Sequence, residues 1–498
     1  MNPQNARGGS GSWPALPEIV KAGLVLAVFT LTTRAWTFGN PLINVDEQFY
    51  VLTGDRLLHG ILPYVDIWDR KPIGLFLLYA LICRVFADPI IGYQLLAVLS
   101  VTLTGCLVFS IARRHSSFTA ALGGAAAYPA WLTVFGGIGG QTPIFYNLPM
   151  LGAAGWIISL MAQSDDRRLT RQGCGIMLLV GVALQIKYSV IFEALFFGLS
   201  LLWICWARRR SWLRLAIVAP AWIASALAPT LAAWLAYFEL GHGLEFVQAN
   251  FLSIFLDKND FLPALGRLAG LSLGLVPFLT CAWFAWKHWR GDHGPGKRET
   301  VWALAWTTVS IVGFLIFGVW YDLYVLPLLA PLSLVAALSF DHFARQRRVI
   351  AMIVGLGLAG GIGRSGVDMW LKGNARDADR LAAMIKPHLG NGCLYVNEDL
   401  PILYYLTQSC LPSHYLFPQH LTSPHFENAL GVSQMGELQR VLSSRPAAIV
   451  IRANPDEDVE PASRAMLKAT ISRDYVLAGG TLVGVERFDV YVPAHHVP

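Results

Sequence analysis

Long apolar segments recur along the first three quarters of the chain, separated by short polar connections. A stretch of about twenty apolar residues has the length needed to cross the hydrocarbon core of a bilayer. The segments lie near residues 18–38, 90–112, 118–138, 143–162, 172–187, 189–206, 213–238, 264–286, 300–319, 322–341 and 348–365. This pattern predicts a polytopic α-helical membrane protein with about eleven spans.

One further apolar segment, Pro72 to Ala87, is shorter and is interrupted by Cys83-Arg84. If it crossed the membrane, the basic pair Arg113-Arg114 would move to the outer face. We therefore expect a helix that lies along the outer interface, with Pro72 near its first turn.

The pattern changes near residue 367, where polar residues become frequent and apolar runs shorten. Helical and strand-like patterns alternate there, which is typical of a mixed α/β domain outside the membrane. The predicted helices are Ala375–Leu389, Gly436–Ser444 and Pro461–Ile471, and the predicted strands are Cys393–Asn397, Ala447–Ile451, Tyr475–Val483 and Phe488–Val492. The domain should therefore occupy residues 367–498.

Composition supports a membrane protein, with 55% hydrophobic and only 14% charged residues, against roughly 25% charged in soluble proteins. The net charge of +6 comes from arginine and lysine clusters in short connections, where basic residues mark the cytoplasmic face. Basic and aromatic residues do not interleave as in nucleic-acid-binding proteins. The clusters predict a cytoplasmic tail over residues 1–17 and a C-terminus on the outer face.

The predicted outer loop after the first span, residues 39–89, carries an unusual concentration of polar chemistry. Charge beside a bilayer is costly and needs a reason. The candidates in this loop are Asp46, Glu47, Tyr50, Tyr64, Asp69, Arg70 and Lys71. One carboxylate of the Asp46-Glu47 pair could act as a general base, although both could simply cap a helix. Arg70 and Lys71 at a helix start suit a phosphate, but equally a lipid headgroup, which leaves Asp69 unexplained.

Further candidates lie near the outer ends of other predicted spans. They are Arg34, Lys187, Tyr321, Asp322 and Tyr324. Lys187 interrupts an apolar run, and lysines within a membrane usually face a partner or a cavity. Arg34 could instead snorkel to the interface, and the tyrosines could belong to an interfacial aromatic belt. A belt does not account for Asp322.

Metal binding and disulfide pairing stay open at the level of sequence. His242, Glu245, Asp257 and Asp260 share one loop and could hold a divalent cation, but their spacing is irregular. The acidic run at residues 456–458 reads as a solvated loop. Cys393 and Cys410 both lie in the outer domain, where an oxidising compartment would allow them to pair, but their spacing gives no geometry.

The first outer loop resembles that of the glycosyltransferase-C superfamily. The resemblance rests on Asp46-Glu47 with Tyr50, on Gly60 with Pro63-Tyr64, and on Lys71-Pro72. Looser matches are Arg34, Lys187 and Tyr324 with the prolines after it. Within the superfamily the chain is most similar to bacterial relatives of the protein O-mannosyltransferases and of the lipid A aminoarabinose transferase. The resemblance covers about residues 15–365.

This resemblance implies an inverting enzyme of the bacterial inner membrane. It would transfer a sugar from a polyprenyl-phosphate donor to a periplasmic acceptor, namely lipopolysaccharide, a glycan or a protein, within a catalytic region spanning residues 18–366. Asp46 matches the proposed catalytic carboxylate, Lys71 and Lys187 match residues that hold the donor phosphate, and Tyr324 matches a pocket tyrosine. The chain departs from many relatives at Tyr146-Asn147, where they have a second carboxylate, and at Leu323, where they have histidine. Neither a cofactor nor a metal requirement carries over.

Two other classes of function remain as alternatives. A transporter or flippase of a lipid-linked saccharide would also bind prenyl phosphate through lysines between helices. Transporters tend to contain internal repeats and helices broken at the midplane, whereas the polar residues of this chain are predicted at one face. A non-catalytic scaffold with an outer sensor domain would leave Asp46 and Lys187 without a role.

Overall fold

The computed structural model describes residues 12–163, 168–253, 261–291, 296–454 and 459–494. The chain divides into two compact units, each assembled from three separate segments. We call them the helical unit (Met1–Trp36, Leu95–Ala232 and Asp260–Ser365) and the mixed unit (Thr37–Gln94, Ala233–Asn259 and Gly366–Pro498). The first polar loop and the C-terminal segment therefore share a unit, a grouping that the sequence pattern did not predict.

Helices dominate the structure. In chain order they are α1 (Leu16–Arg34), α2 (Val45–Leu58), α3 (Ile73–Val85), α4 (Pro89–Ala112), α5 (Phe118–Val134), α6 (Thr142–Ala162), α7 (Leu169–Leu184), α8 (Ile191–Arg209), α9 (Trp212–Glu239), α10 (Gly243–Val247), α11 (Phe261–Gly291), α12 (Lys297–Ile316), α13 (Leu329–Ser339), α14 (Gln346–Lys372), α15 (Ala375–Leu389), α16 (Ile402–Thr407), α17 (Gln434–Ser443) and α18 (Pro461–Asp474).

Each of the eleven predicted spans coincides with a helical segment. Among the described residues, nine helical segments are long and apolar enough to cross a membrane. The two other predicted spans correspond to α5 and α7, which are slightly shorter at 17 and 16 residues. The fold prediction of a polytopic α-helical membrane protein is therefore confirmed.

The core of the helical unit is built around α13. The segment Asp322–His342 that contains this helix is 83% buried within the protein. A Cβ added at Gly124 of α5 would lie 2.4 Å from the Cβ of Ala337 and 2.7 Å from the carbonyl oxygen of Ser333. Only glycine at this position lets α5 and α13 approach so closely.

The mixed unit contains a four-stranded sheet with strand order β1-β2-β4-β3. β1 (Leu394–Val396) pairs parallel to β2 (Ala448–Arg452), and β4 (Glu486–Pro493) runs antiparallel to both β2 and β3 (Tyr475–Val483). One face of the sheet packs on α17 and α18 through buried residues of a shared cluster, including Tyr395, Leu438, Ile449, Leu467 and Ile471. All four predicted strands and all three predicted helices of this segment are confirmed within a few residues.

The predicted interfacial segment forms α3, which packs against α2 as a helical hairpin in the mixed unit. The contact is close at Gly54, where an added Cβ would lie 2.7 Å from the backbone of Tyr79 and Ala80. A helix is thus confirmed at the predicted position, and its orientation along the membrane surface stays a prediction. The question of cysteine pairing is answered by a disulfide between Cys393 and Cys410, whose Cα atoms lie 4.8 Å apart.

Candidate functional site

The two adjacent carboxylates lie in the first turn of α2 and point to different surroundings. Asn44 caps the helix, because its side chain accepts a hydrogen bond from the backbone N–H of Asp46 at 2.9 Å. The carboxylate of Asp46 is about one fifth exposed. Glu47 is fully buried, with Tyr79 and Tyr93 among its neighbours. Since Asn44 already caps the helix, Asp46 has its side chain available for another role.

A tight turn brings a lysine beside Asp46. The Oδ1 atom of Asp69 accepts hydrogen bonds from the backbone N–H groups of Arg70 (2.5 Å) and Lys71 (2.8 Å). The Lys71 ammonium then lies 3.3 Å from Oδ1 of Asp46 and 3.4 Å from Oδ2 of Asp69. The hydroxyl of Tyr64, a residue with a φ of +70°, donates to the carbonyl of Lys71 at 2.7 Å. The loop thus fixes one cation between two carboxylates.

Electrostatics keep this lysine charged. Burial alone would lower the pKa of the Lys71 ammonium, but the charges of Asp46 and Asp69 and a hydrogen bond to Asp46 outweigh burial and raise it. Burial, Asp46 and Asp69 together raise the pKa of the Tyr50 phenol well above its usual value. The ring of Tyr50 lies 5.2 Å from the Lys71 ammonium, a distance that suits a cation–π contact. Tyr50 therefore remains a neutral phenol beside a permanent cation.

The C-terminal segment contributes aromatic side chains that the sequence pattern did not mark as site residues. The Phe417 ring lies 5.5 Å from the Lys71 ammonium, and the Phe426 ring lies 4.9 Å from the Arg70 guanidinium. The backbone N–H of Trp68 donates to the backbone carbonyl of His414 at 2.9 Å. No local motif distinguishes these residues, because their role depends on contacts across more than 340 positions of the chain.

His420 packs with the rings of Trp68, Phe417 and Phe426, and we call these four side chains the aromatic layer. Its ring packs edge-on to Trp68 at 4.8 Å and to Phe426 at 5.1 Å. Burial, together with the positive charges of Arg70 and Lys71, lowers the pKa of His420 well below its usual value. His420 is therefore a neutral imidazole next to the two cations.

The helical unit contains a second set of candidates around a small cavity. The Lys187 ammonium lies 4.7 Å from the centre of the Tyr324 ring. Both residues line the cavity, together with Tyr146, Ser189, Phe192, Glu193, Ser310, Gly313, Phe314, Phe317, Pro327 and Leu328. Glu193 is not among the site residues predicted from the sequence, although a carboxylate in the predicted span 189–206 is itself a signal of function.

The remaining predicted residues make defined contacts within the helical unit. Arg34 is 1% exposed, and its guanidinium donates to the backbone carbonyls of Gly137, Ile138 and Gly139. Asp322 accepts a hydrogen bond from Arg364 at 2.8 Å.

Tyr321 lies beneath a cation, with the guanidinium of Arg267 at 4.6 Å from its ring. The same guanidinium donates to the carbonyl of Val319. The Tyr321 and Tyr324 rings lie 6.0 Å apart, so the two tyrosines share one turn after α12.

The loop whose side chains could hold a divalent cation is only partly described. Nδ1 of His242 and Oε1 of Glu245 lie 3.2 Å apart, whereas Asp257 and Asp260, like the acidic run at 456–458, fall outside the described residues. Within the described part of the chain, no group of three or more histidine, cysteine, aspartate or glutamate side chains could hold a metal ion.

Comparison with known proteins gives similarity at the level of fold. No protein-family model and no curated protein matches the sequence. The crystal structure of ArnT from Cupriavidus metallidurans bound to undecaprenyl phosphate is similar with a TM-score of 0.62 and 13% identity, covering 97% of this chain and 100% of that one. The same protein in the apo state gives a TM-score of 0.59 and 14% identity over 95% and 97% of the two chains. At such identities the comparison establishes a shared fold.

Proposed function

We propose that this protein is an inverting glycosyltransferase that moves a sugar from a polyprenyl-phosphate donor to a hydroxyl-bearing acceptor. One observation carries the proposal: a partly exposed carboxylate, Asp46, lies 3.3 Å from the ammonium of Lys71 at the start of α2. Such a pair joins a proton acceptor to a phosphate-binding cation. The shared fold with a protein whose structure holds undecaprenyl phosphate supports the same reaction class.

The reaction requires mainly that the enzyme position donor and acceptor, stabilise the charge of the leaving phosphate and remove one proton from the acceptor. The acceptor oxygen attacks the anomeric carbon, and its proton passes to Asp46. The bond between that carbon and the phosphate oxygen breaks with inversion, and the polyprenyl phosphate leaves with the bonding electron pair. Lys71 stabilises the negative charge on the departing phosphate. Base catalysis of this kind contributes about 10²–10⁴-fold in rate, and oriented positive charge adds several kcal/mol.

The charge balance at Lys71 suits this sequence of events. Before the donor binds, two carboxylates neutralise the ammonium and keep it in place. A phosphate that approaches Lys71 would share its hydrogen bonds, while Asp69 continues to hold the turn through two backbone N–H groups. Asp46 would then be released from the ion pair to accept a proton.

In this proposal Lys187 supplies a further cation for the donor phosphate, and Tyr324 shapes its surroundings. The catalytic region comprises residues 18–366 in the inner membrane, and residues 367–498 form a periplasmic α/β domain. Lipopolysaccharide, another glycan or a protein would serve as the acceptor.

The test is sugar transfer by the purified, detergent-solubilised protein. Radiolabelled polyprenyl-phosphate sugars are incubated with membrane extracts, wild type beside Asp46→Asn. We expect Asp46→Asn to lower the transfer rate by about 10²–10⁴-fold, because the amide cannot accept the acceptor proton, while binding of the donor is largely retained. Asp66→Asn is the matched control, since Asp66 lies in the same loop and its carboxylate accepts a hydrogen bond from the backbone N–H of Leu62, which an asparagine oxygen can also accept. It should transfer at the wild-type rate.

Full activity of Asp46→Asn would refute the role of Asp46 as the base. If wild type binds the labelled lipids but moves no label to any acceptor, the enzyme assignment is wrong, and transport of a lipid-linked saccharide becomes the function to examine.

A further inference from the structure

A larger cavity lies within the C-terminal segment of the mixed unit. Its volume is about 540 Å³, within the range of about 300–1,000 Å³ that is usual for small-molecule sites. It lies between the turn Pro424–Phe426 and the first turns of α17 and α18. We call it the C-terminal cavity. The proposed reaction as stated above gives it no part.

A buried amide at the wall of this cavity has an acceptor without a partner. Gln434 lines the cavity and is 7% exposed. Its Nε2 group donates to the backbone carbonyls of His420 at 2.6 Å and of Ser423 at 2.8 Å. These two bonds fix the orientation of the amide, and no described residue donates to its Oε1 atom. Oε1 is therefore an acceptor that is oriented before any ligand arrives, so little entropy is lost on binding.

The charged side chains of the cavity wall are acidic. Glu427 and Glu460 line it, and none of its described lining residues is basic. The carboxylate of Glu460 forms no hydrogen bond or ion pair with a described residue. It does not cap α18 either, although Glu460 directly precedes that helix. The wall thus offers an amide oxygen and two carboxylates, and it suits a ligand that is rich in hydrogen-bond donors.

The remaining wall is partly apolar, which narrows the class of ligand. Pro424, Val432 and Met435 line the cavity, and Val432 is 41% exposed. A phosphate or another anion would be repelled by the carboxylates. A metal ion would need no apolar wall. A saccharide fits both parts, because its hydroxyl groups donate to the acceptors while its C–H face covers the apolar side chains.

The C-terminal cavity is joined to the proposed catalytic loop through the aromatic layer. Gln434 holds the backbone carbonyl of His420, and the ring of Phe426, the residue before Glu427, lies 4.9 Å from the Arg70 guanidinium. The sugar of the donor is attached to the phosphate that Lys71 is proposed to bind. The cavity has no basic group among its described lining residues, so the saccharide that it suits carries no phosphate there.

We propose that the C-terminal cavity binds a saccharide of the acceptor, with Gln434 and Glu460 accepting hydrogen bonds from its hydroxyl groups. The inference rests on the proposed function and names the acceptor as a glycan. The cavity holds the glycan at the side of the aromatic layer that faces away from the donor phosphate, while another hydroxyl of the same glycan reaches Asp46.

The first experiment measures saccharide binding to the full-length protein by saturation-transfer difference NMR. The detergent is an amine oxide, because the headgroup of a maltoside detergent is itself a saccharide. The probes are a panel of free hexoses, hexosamines and their disaccharides. Ala462→Trp fills the cavity from an exposed position of its wall and should abolish binding. Glu460→Gln keeps the shape but removes a charged acceptor, and it should weaken binding by about 10-fold, the lower end for a hydrogen bond to a charged group.

Two matched controls separate the cavity from its surroundings. Ala469→Trp adds the same bulk at an exposed position of the same helix, about 10 Å further along its axis. Asp379→Asn removes one carboxylate charge from an exposed position of α15. Neither residue is among those that line the cavity, so both variants should bind the panel as wild type does. Thermal midpoints of all four variants confirm that they are folded.

The second experiment assigns the saccharide to the acceptor. The transfer assay is repeated with saturating labelled donor and serial dilutions of the membrane extract. We expect Glu460→Gln to raise the extract concentration that gives half-maximal transfer by about 10-fold. Its KM for the donor and its rate at saturating extract should remain those of wild type, because Glu460 contacts only the acceptor.

The inference is overturned if no member of the panel binds wild type, or if Ala462→Trp binds the panel as wild type does. Transfer by Glu460→Gln and Ala462→Trp with the wild-type dependence on extract would also overturn it. If wild type moves no label from any donor, the proposed function falls and the acceptor role falls with it. A loss of saccharide binding confined to the two cavity variants would still support a saccharide site.

Discussion

At the scale of single residues, neighbouring side chains of the same type receive different roles from their surroundings. Asp46 is partly exposed beside the Lys71 ammonium, whereas Glu47 is fully buried. Adjacent helix positions point about 100° apart, so one turn of α2 presents one carboxylate to the loop cations and the other to the protein interior. This difference makes Asp46 the better candidate for proton transfer.

A second feature at the residue scale is the dependence of folding stability on pH that the buried imidazole of His420 should cause. Its pKa lies well below the usual value because of burial and of the cations Arg70 and Lys71. In the unfolded chain the imidazole takes up a proton near its usual pKa of about 6.5. As the pH falls below that value, only the unfolded state gains this proton, so the folded state loses stability until the pH reaches the lower, folded pKa.

We therefore expect His420→Phe to flatten the pH dependence of stability between pH 7 and pH 5. The wild-type slope from this group approaches about 1.4 kcal/mol per pH unit. Thermal unfolding in detergent at several pH values measures it. The control Gln419→Ala alters an exposed, uncharged side chain of the same segment and should keep the wild-type profile. Identical profiles for wild type and His420→Phe would show that His420 does not titrate in this way.

At the scale of elements, the short helix α16 of the C-terminal segment packs against α2 of the first polar loop. The Arg56 guanidinium of α2 donates to the carbonyls of Tyr404 and Ser409 at 3.2 and 2.9 Å. The side chain of Gln48 accepts from the backbone N–H of Ile402. The disulfide between Cys393 and Cys410 closes the segment that carries these contacts. The disulfide therefore restricts the conformations of the segment that contacts α2.

Removal of this disulfide should lower the free energy of unfolding. For a closed loop of this size the chain-entropy model gives about 3 kcal/mol. We expect a lower thermal midpoint for the double variant Cys393→Ser with Cys410→Ser than for wild type. A membrane-permeant reductant should lower the midpoint of wild type and leave that of the double variant unchanged. Equal midpoints for all these samples would mean that the bond contributes no stability.

At the scale of the whole molecule, distant parts of the chain combine within each unit. The mixed unit brings residues 37–94 together with the C-terminal sheet, so the first polar loop and the last quarter of the chain pack within one unit. Truncation after residue 366 should therefore disrupt the first polar loop as well as remove the C-terminal sheet. Trp68, Arg70 and Lys71 would lose their contacts with the 414–426 segment.

The proposed topology places this C-terminal segment in the periplasm. Arg473 is 72% exposed on α18, and Arg345 is an exposed residue in a connection predicted to be cytoplasmic. In intact cells a membrane-impermeant maleimide should label Arg473→Cys above the wild-type background. Arg345→Cys should be labelled only after the membrane is permeabilised. The reverse pattern would invert the topology and contradict a periplasmic active site.

The sequence by itself determined the membrane helices, the strands and helices of the C-terminal segment, and the polar loop with Asp46 and Lys71. These follow from local patterns, since the length of an apolar run and the period of a strand are written in consecutive residues. The tertiary structure alone decided the pairing of Cys393 with Cys410, the aromatic layer of Trp68, Phe417, His420 and Phe426, and the place of Glu193 in the cavity. Each depends on contacts between segments far apart in the chain, and such contacts are set by packing, which leaves no local pattern to read.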